Sequence, residues 1–375
     1  LDFYNYVYNG SYQNNVSILS KIPNFGGVTS VPLDYMHLIC LGVVKKMINL
    51  WIAGPLTVRI PARDVKLISD ALILFQNYTP NDFNRKPRSL FDYKHWKATE
   101  FRTFLLYTGS VVLKKILRHD IYENFIVLHV AISILINTNL VKDENFINYA
   151  KKLLIQFILQ FQEIYGIDNV SHNIHNLLHL TDDVKKYGAL DEFSAFRFEN
   201  YMSSLKKMLR KSETPLQQLV KRFSELDYNN SVILKNSNTN LCLKKNHTNG
   251  PLTADLCKNN VLQFKQFWTS NMSIICDNKK NCFCLLKNNM VVSIQNIIQI
   301  IESHEIFIVG FILKPEFPYN LYTSPCISNN LDINIVANIS KSQNLHYWPI
   351  TNIKTKLWRL PMKDKFVVIP LVHTH

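Results

Sequence analysis

Between Tyr35 and Ile52 the apolar residues Met36, Ile39, Cys40, Val43, Met47, Leu50 and Trp51 recur at three- and four-residue spacings, the period of an amphipathic helix. The stretch just before it, Val28 to Leu33, is short and partly β-branched, which predicts a strand that ends at Asp34 and runs straight into that helix. From Val65 to Tyr228 the helical spacing continues, as in Leu67, Ala71, Leu74 and Phe75, then Phe101, Phe104, Leu105 and Val112, then Leu153, Phe157, Ile158 and Phe161. Pro80, Pro87, Gly109, Gly166, Gly188 and Pro215 divide this long region into separate helices. Its most apolar run, Phe125 to Val141, includes His129, Asn137, Thr138 and Asn139, which suits a buried helix better than a bilayer span.

After about Tyr228 the pattern changes. Loops of Asn, Ser and Lys punctuate short β-rich runs at Ser273 to Cys276, Met290 to Ile294, Ile306 to Ile312 and Phe366 to Leu371, so a boundary is expected near residue 230, followed by a small sheet or barrel. Residues 1 to 30 are turn-rich, with Asn9-Gly10, Pro23 and Gly26-Gly27 as breakers. The chain starts at Leu1 without a leader-like segment, and is read as a fragment.

A chain of 375 residues that is 47% hydrophobic and 12% aromatic can fill two cores. Its formal charge of +14 and isoelectric point near 9.3 favour a polyanionic partner, because each cation that neutralises a phosphate releases counterions. Nucleic acid comes first and a membrane surface second. The excess is spread along the chain: 27 Lys and Arg face 21 Asp and Glu up to Asn230, and 15 face 7 beyond it. Seven cysteines at scattered spacings do not make a secreted disulfide framework and are expected to be reduced.

Three constellations could carry chemistry. Asp34 and His37 stand at the predicted strand-to-helix junction, where open α/β sheets present active sites. Asp34 can ligate a divalent metal there, or simply cap the helix. Glu199, between Phe198 and Tyr201, opens a second helix in which both aromatics are expected to face the core. Arg197, Lys206, Lys207, Arg210 and Lys211 around and beyond it would lie on DNA phosphates or form a solvated face. His175 and His179, one turn apart, could hold Zn²⁺ given two further ligands, but no Cys-x-x-Cys is present and histidines on a half-apolar helix are more often ordinary packed or hydrogen-bonded groups. Cys282 and Cys284 are read as buried thiols. Trp96, near Arg102, could stack on an unpaired base or fill the core. No phosphate-binding Gly-x-x-x-x-Gly-Lys, Gly-x-Gly-x-x-Gly, His-Glu-x-x-His or Gly-x-Ser-x-Gly occurs, which removes the common ATPase, dehydrogenase, zincin and hydrolase readings.

The blocks "VPLDYMHLICLGVVKKMINLWIAGPL", "RKPRSLFDYKHWKATEFRTFLLYTG", "NIHNLLHLTDDVKKYGALDEFSAFRFENYMSSLKKMLR" and "VVIPLVH" resemble transposase-derived proteins of invertebrates and, through them, the CACTA (En/Spm) transposases of plants, including the uncharacterised domain after their catalytic core. The resemblance covers most of residues 20 to 230 and, more weakly, the tail. It implies an α+β chain with an incomplete RNase H-like core, a long all-helical insertion and a small β-rich domain. In that scheme residues 1–60 are the end of the core, 61–190 the insertion, 191–230 the returning catalytic helix and 231–375 the β-rich domain. It further implies two-metal DNA cleavage and strand transfer, with Asp34 and Glu199 as ligands to Mg²⁺ or Mn²⁺, His37 at the site's edge, and His175 and His179 as half of a zinc site. The first Asp of the triad is expected upstream of this chain, so the chain is expected to be inactive by itself. The implied partners are transposon-end DNA and other copies of the protein, not a membrane, and the implied location is the nucleus. The alternative is a degenerate or domesticated DNA- or chromatin-binding protein without catalysis.

Overall fold

The computed structural model describes residues 18–27, 29–232, 241–258, 260–269, 272–337 and 344–372. Most of the turn-rich amino-terminal segment, including Asp2, and His373 of the last quoted block lie outside these residues.

The helical part begins with a π-helix, Met36–Val44, that continues into α1 (Lys45–Ala53). Its buried residues Ile39, Val43, Met47, Ile48 and Trp51 follow the predicted apolar stripe. The helices α2 (Ala62–Phe75), α3 (Ala98–Thr103) and α4 (Gly109–Val112) come next. They are followed by α5 (His119–Ile136), α6 (Glu144–Tyr165), α7 (His172–Asn176) and α8 (Leu180–Tyr187). The pair α9 (Phe196–Met208) and α10 (Pro215–Val232) closes the series.

The centre of the body is α5, every residue of which from Phe125 to Ile136 is buried, so protein takes the place that lipid would occupy around a span of this apolarity. Helix α6 lies against it, and Asn124 donates from Nδ2 to the Phe157 carbonyl at 3.0 Å. A second π-helix, Phe104–Thr108, precedes α4. Gly109 follows it because Phe125 presses so close that a Cβ there would sit 2.5 Å from its ring.

Of the strand expected over Val28 to Leu33, Val28 lies outside the described residues, and the rest is not extended in a ladder: residues 29–30 make a turn and 32–34 are irregular. Pro32 has no N–H to give a ladder, and among the described residues no strand pairs with this segment. The Leu33 N–H is satisfied instead by Asp183 Oδ2 at 2.8 Å.

Ten antiparallel strands follow among the described residues. They are β1 (Cys242–His247), β2 (Val261–Trp268), β3 (Ser273–Ile275), β4 (Phe283–Leu286), β5 (Val291–Ile300), β6 (Ile306–Leu313), β7 (Asn334–Val336), β8 (His346–Pro349), β9 (Ile353–Met362) and β10 (Lys365–Pro370). The order is β1-β2-β5-β4-β9-β10-β7, with β3 on β2, β6 on β5 and β8 on β6. An irregularity between Ile294 and Asn296 bends β5. Its first half pairs with β4 and its second with β2, so the sheet curls.

The change from helix to strand is not a break in the core. Leu321, Tyr322, Trp358, Leu360, Val367 and Ile369 belong to the same buried cluster as the helices. Trp358 stacks on Phe83 at 4.5 Å and on Tyr107 at 5.5 Å. Beneath it, Lys356 (1% exposed) is ion-paired with Asp82 (5%), and its ammonium also donates to the Ser273 carbonyl at 2.6 Å and to Asn281 Oδ1 at 3.1 Å. The protein is therefore α+β, a helical body joined to a curled antiparallel sheet.

Candidate functional site at Asp34, His37 and Glu199

Residues 161 positions apart meet at the start of the first long helix. Asp34 Oδ1 accepts from the Met36 N–H at 3.2 Å and from the Ala195 N–H at 2.7 Å. Asp34 Oδ2 accepts from the His37 N–H at 3.0 Å and from His37 Nδ1. The Asp34 carbonyl takes the helix's first main-chain bond, from Leu38, at 2.8 Å. This is capping by a side-chain oxygen, with one further donor brought in from the segment before α9. On its other side the His37 ring turns Nε2 toward Glu199 Oε1, 3.9 Å away.

Neighbouring contacts fix the geometry. Tyr35, fully buried, meets Phe196 edge-on with ring centroids 6.0 Å apart. The Arg102 guanidinium lies 4.4 Å over the Phe196 ring and 3.7 Å from Asp191. Burial pushes the Tyr35 hydroxyl well above its usual range, and the Cys40 thiol up to about 12. Both stay neutral and serve as packing.

Exposure then separates the roles. The Asp34 side chain is 24% exposed, against 60% for His37 and 62% for Glu199. Asp34 is a framework group, whereas His37 and Glu199 face solvent. A carboxylate offers about four acceptor positions, and all four on Asp34 are taken by protein donors. A metal ligated there would have to displace them. Among the described residues, no group of three or more His, Cys, Asp or Glu side chains is placed to hold a metal ion. The residues present therefore do not fit a two-metal centre.

Helix α9 hangs on its first turn. None of its residues is buried, and Phe198 (69% exposed) and Tyr201 (47%) point outward, correcting the expectation that they face the core. The hold at Ala195 and Phe196 fixes the start of the helix. Arg197, Lys206, Lys207, Arg210 and Lys211 are all exposed. Gln218 of α10 pins the turn after α9, accepting at Oε1 from the Arg210 N–H at 3.0 Å and the Lys211 N–H at 3.3 Å.

The other candidates fall elsewhere. His175, in α7, and His179, in the turn that leads into α8, are exposed, their rings edge to face at 5.9 Å. No further ligand joins them among the described residues. Trp96 is 5% exposed, packs on Phe101 and Phe104, and donates to the Ser89 carbonyl at 3.2 Å, so it fills the core and cannot stack on a base. Cys282 and Cys284 are buried thiols. Sequence reasoning missed Asp183, Arg102 and Asp191, the groups that hold the two halves of the site in register. Their signal was present only as charges inside otherwise apolar blocks.

Fold and site together define a basic α+β protein with a carboxylate–imidazole–carboxylate cluster at its surface. The model of a domain of unknown function, DUF8592, matches residues 246–371, a span that begins within β1 and takes in the rest of the sheet. No curated protein and no solved structure matches the chain.

Proposed function

We propose that the chain is a transposase-derived, DNA-binding protein of the CACTA type, in which the Asp34–His37–Glu199 cluster organises structure and no longer ligates metal. The observation that carries this reading is the bond from the Ala195 N–H to Asp34. It joins the two sequence blocks that the resemblance marks as bearing the second and third catalytic acids, and together with the Met36 and His37 donors it fills the acceptor positions a metal would need. The exposed cations of α9 and the turn after it supply phosphate contacts beside that cluster, and the net charge of +14 supplies the long-range attraction. In an RNase H-like arrangement Asp34 would end a strand. Here it opens a helix from an irregular segment, which agrees with a core that has lost its chemistry.

A metal-dependent transposase is the second reading. It is favoured by one observation, the exposure of the Glu199 carboxylate next to His37, and it requires Asp34 to release its donors. Duplex binding by the purified chain separates the two. The proposed function predicts an affinity that falls steeply with salt and is indifferent to Mg²⁺, to Mn²⁺ and to Glu199→Gln. Negligible binding at moderate salt would overturn it.

A further inference from the structure

A second cationic feature lies on the same helix, away from α9. The junction of the π-helix with α1, the 3₁₀ segment Leu90–His95 and the turn leading into α7 enclose an open cleft of about 620 Å³. Lys45, Lys46 and Lys94 line it together with Asn49, Ser171 and Asn173, and no acidic side chain does. None of the three lysines forms an ion pair or side-chain hydrogen bond among the described residues, whereas Lys151, Lys185, Lys354 and Lys356 are all paired with carboxylates. Unpaired cations gathered in a concave, acid-free surface concentrate positive potential.

The cleft is also shaped. Gly42 sits on its wall, where an added Cβ would come within 2.5 Å of Asn173 Nδ2 and 3.0 Å of the His37 carbonyl. The absent side chain lets the first turn of α7 approach the helix closely and leaves the Asn173 amide in the cleft lining with the lysines. Tyr93 donates from its hydroxyl to Asn49 Oδ1 at 2.6 Å, which leaves the Asn49 amide N–H groups directed away from that bond. Ammonium and amide donors on three sides match the oxygens of a phosphodiester chain, which accept and never donate.

We infer that this cleft is a DNA-backbone site, built on Lys45, Lys46, Lys94 and Asn173, that grips the phosphates next to those held by α9. The inference rests on the proposed DNA-binding function and adds to it where one strand lies. Backbone phosphates carry no sequence information, so the cleft contributes affinity and register rather than base selectivity.

The test is a fluorescence-anisotropy titration of the full chain with a labelled 30-base-pair duplex at several salt concentrations. Lys45→Gln/Lys46→Gln/Lys94→Gln is compared with the charge-matched control Lys279→Gln/Lys280→Gln/Lys287→Gln in the sheet turns. Each lost phosphate contact removes about 0.9 from the slope of log affinity against log salt, so the cleft variant should lose roughly 2 to 3 from that slope and bind at least about tenfold more weakly. The control should keep the parent's slope. Asn173→Asp, which places a negative charge among intact lysines, should also weaken binding. Competition with inorganic phosphate distinguishes a small-anion site from a backbone site: millimolar phosphate that displaces the duplex no better than chloride of equal ionic strength supports the backbone. Parent binding with an unaltered slope in the cleft variant would overturn the cleft and leave the proposed function standing. No binding by the parent would overturn both.

Discussion

At the scale of single residues, the site turns on how fully Asp34 is used. Its carboxylate satisfies two N–H groups at the first turn of the helix, one from Ala195 and the His37 ring. Removing a capping carboxylate typically costs about 1 kcal/mol, rising to about 2, and the loss of the long-range tie adds to that. Asp34→Ala should therefore lower unfolding free energy by about 2 to 3 kcal/mol in urea titration. Glu199→Gln, on a side chain 62% exposed, should change it by less than about 0.5 kcal/mol. Equal destabilisation by both would contradict the division of roles. Asp34 and His37 were legible in the sequence as a pair, since three-residue spacing at a helix start brings a cap and a ring together. The saturation of Asp34 was not legible, because one of its donors is a backbone N–H and every residue type except proline carries one.

At the scale of elements, helical periodicity located the buried stripes of the π-helix and α1 and of α6, and β-rich runs marked β3, β5, β6 and β10. In α2 it chose the wrong face: Leu67 and Leu74 are exposed, and Val65, Ile68, Leu72 and Phe75 are buried. Three further things escaped it. The segment before Asp34 has strand composition but no strand to pair with, and pairing is a property of the partner. Phe198 and Tyr201 have core-like spacing, yet none of the residues of α9 is buried. Strands β1, β2, β4, β7, β8 and β9 are short, polar or interrupted, and gain their order from neighbours already in the sheet. Helix α5 carries a testable consequence of burial. His129 is fully buried between the Leu105 carbonyl at 2.8 Å and the Tyr322 hydroxyl at 3.2 Å, and burial pushes its pKa from 6.5 down to about 4. The neutral ring is the folded form, so its contribution is complete above pH 6.5 and is lost as pH falls from there toward 4. That amounts to about 3 kcal/mol over the window. Urea midpoints across it should drop for the parent and drop markedly less for His129→Gln. Parallel pH profiles would show that His129 titrates freely in the fold.

At the scale of the whole molecule, the helical core takes in Trp358, Leu360, Val367 and Ile369 of the sheet, while Phe267, Ile274, Ile294 and Ile297 pack in a cluster of the sheet's own. The Lys356–Asp82 pair is buried at the joint. Breaking a buried pair from one side leaves an uncompensated charge and costs about 3 to 5 kcal/mol, so Lys356→Ala should lower the melting temperature substantially. Asp82→Asn/Lys356→Met, which removes both charges, should recover most of that loss. Because helices and sheet are joined in this way, a single cooperative transition is expected for the parent, and two separate transitions in calorimetry would contradict a shared core. The boundary drawn near residue 230 from composition falls where helix gives way to strand, and the joint ties the two parts together across it. Periodicity reports which face of an element is apolar. It does not report which element covers that face.

The most direct test of the central claim is a strand-cleavage assay on labelled transposon-end duplexes in Mg²⁺ and in Mn²⁺, with the parent chain, Asp34→Ala and Glu199→Gln in parallel. The account predicts DNA bound and left intact by all three, since the Asp34 acceptor positions are occupied within the fold. Metal-dependent cutting by the parent that either substitution abolishes would contradict it and establish Asp34 and Glu199 as ligands of a working nuclease.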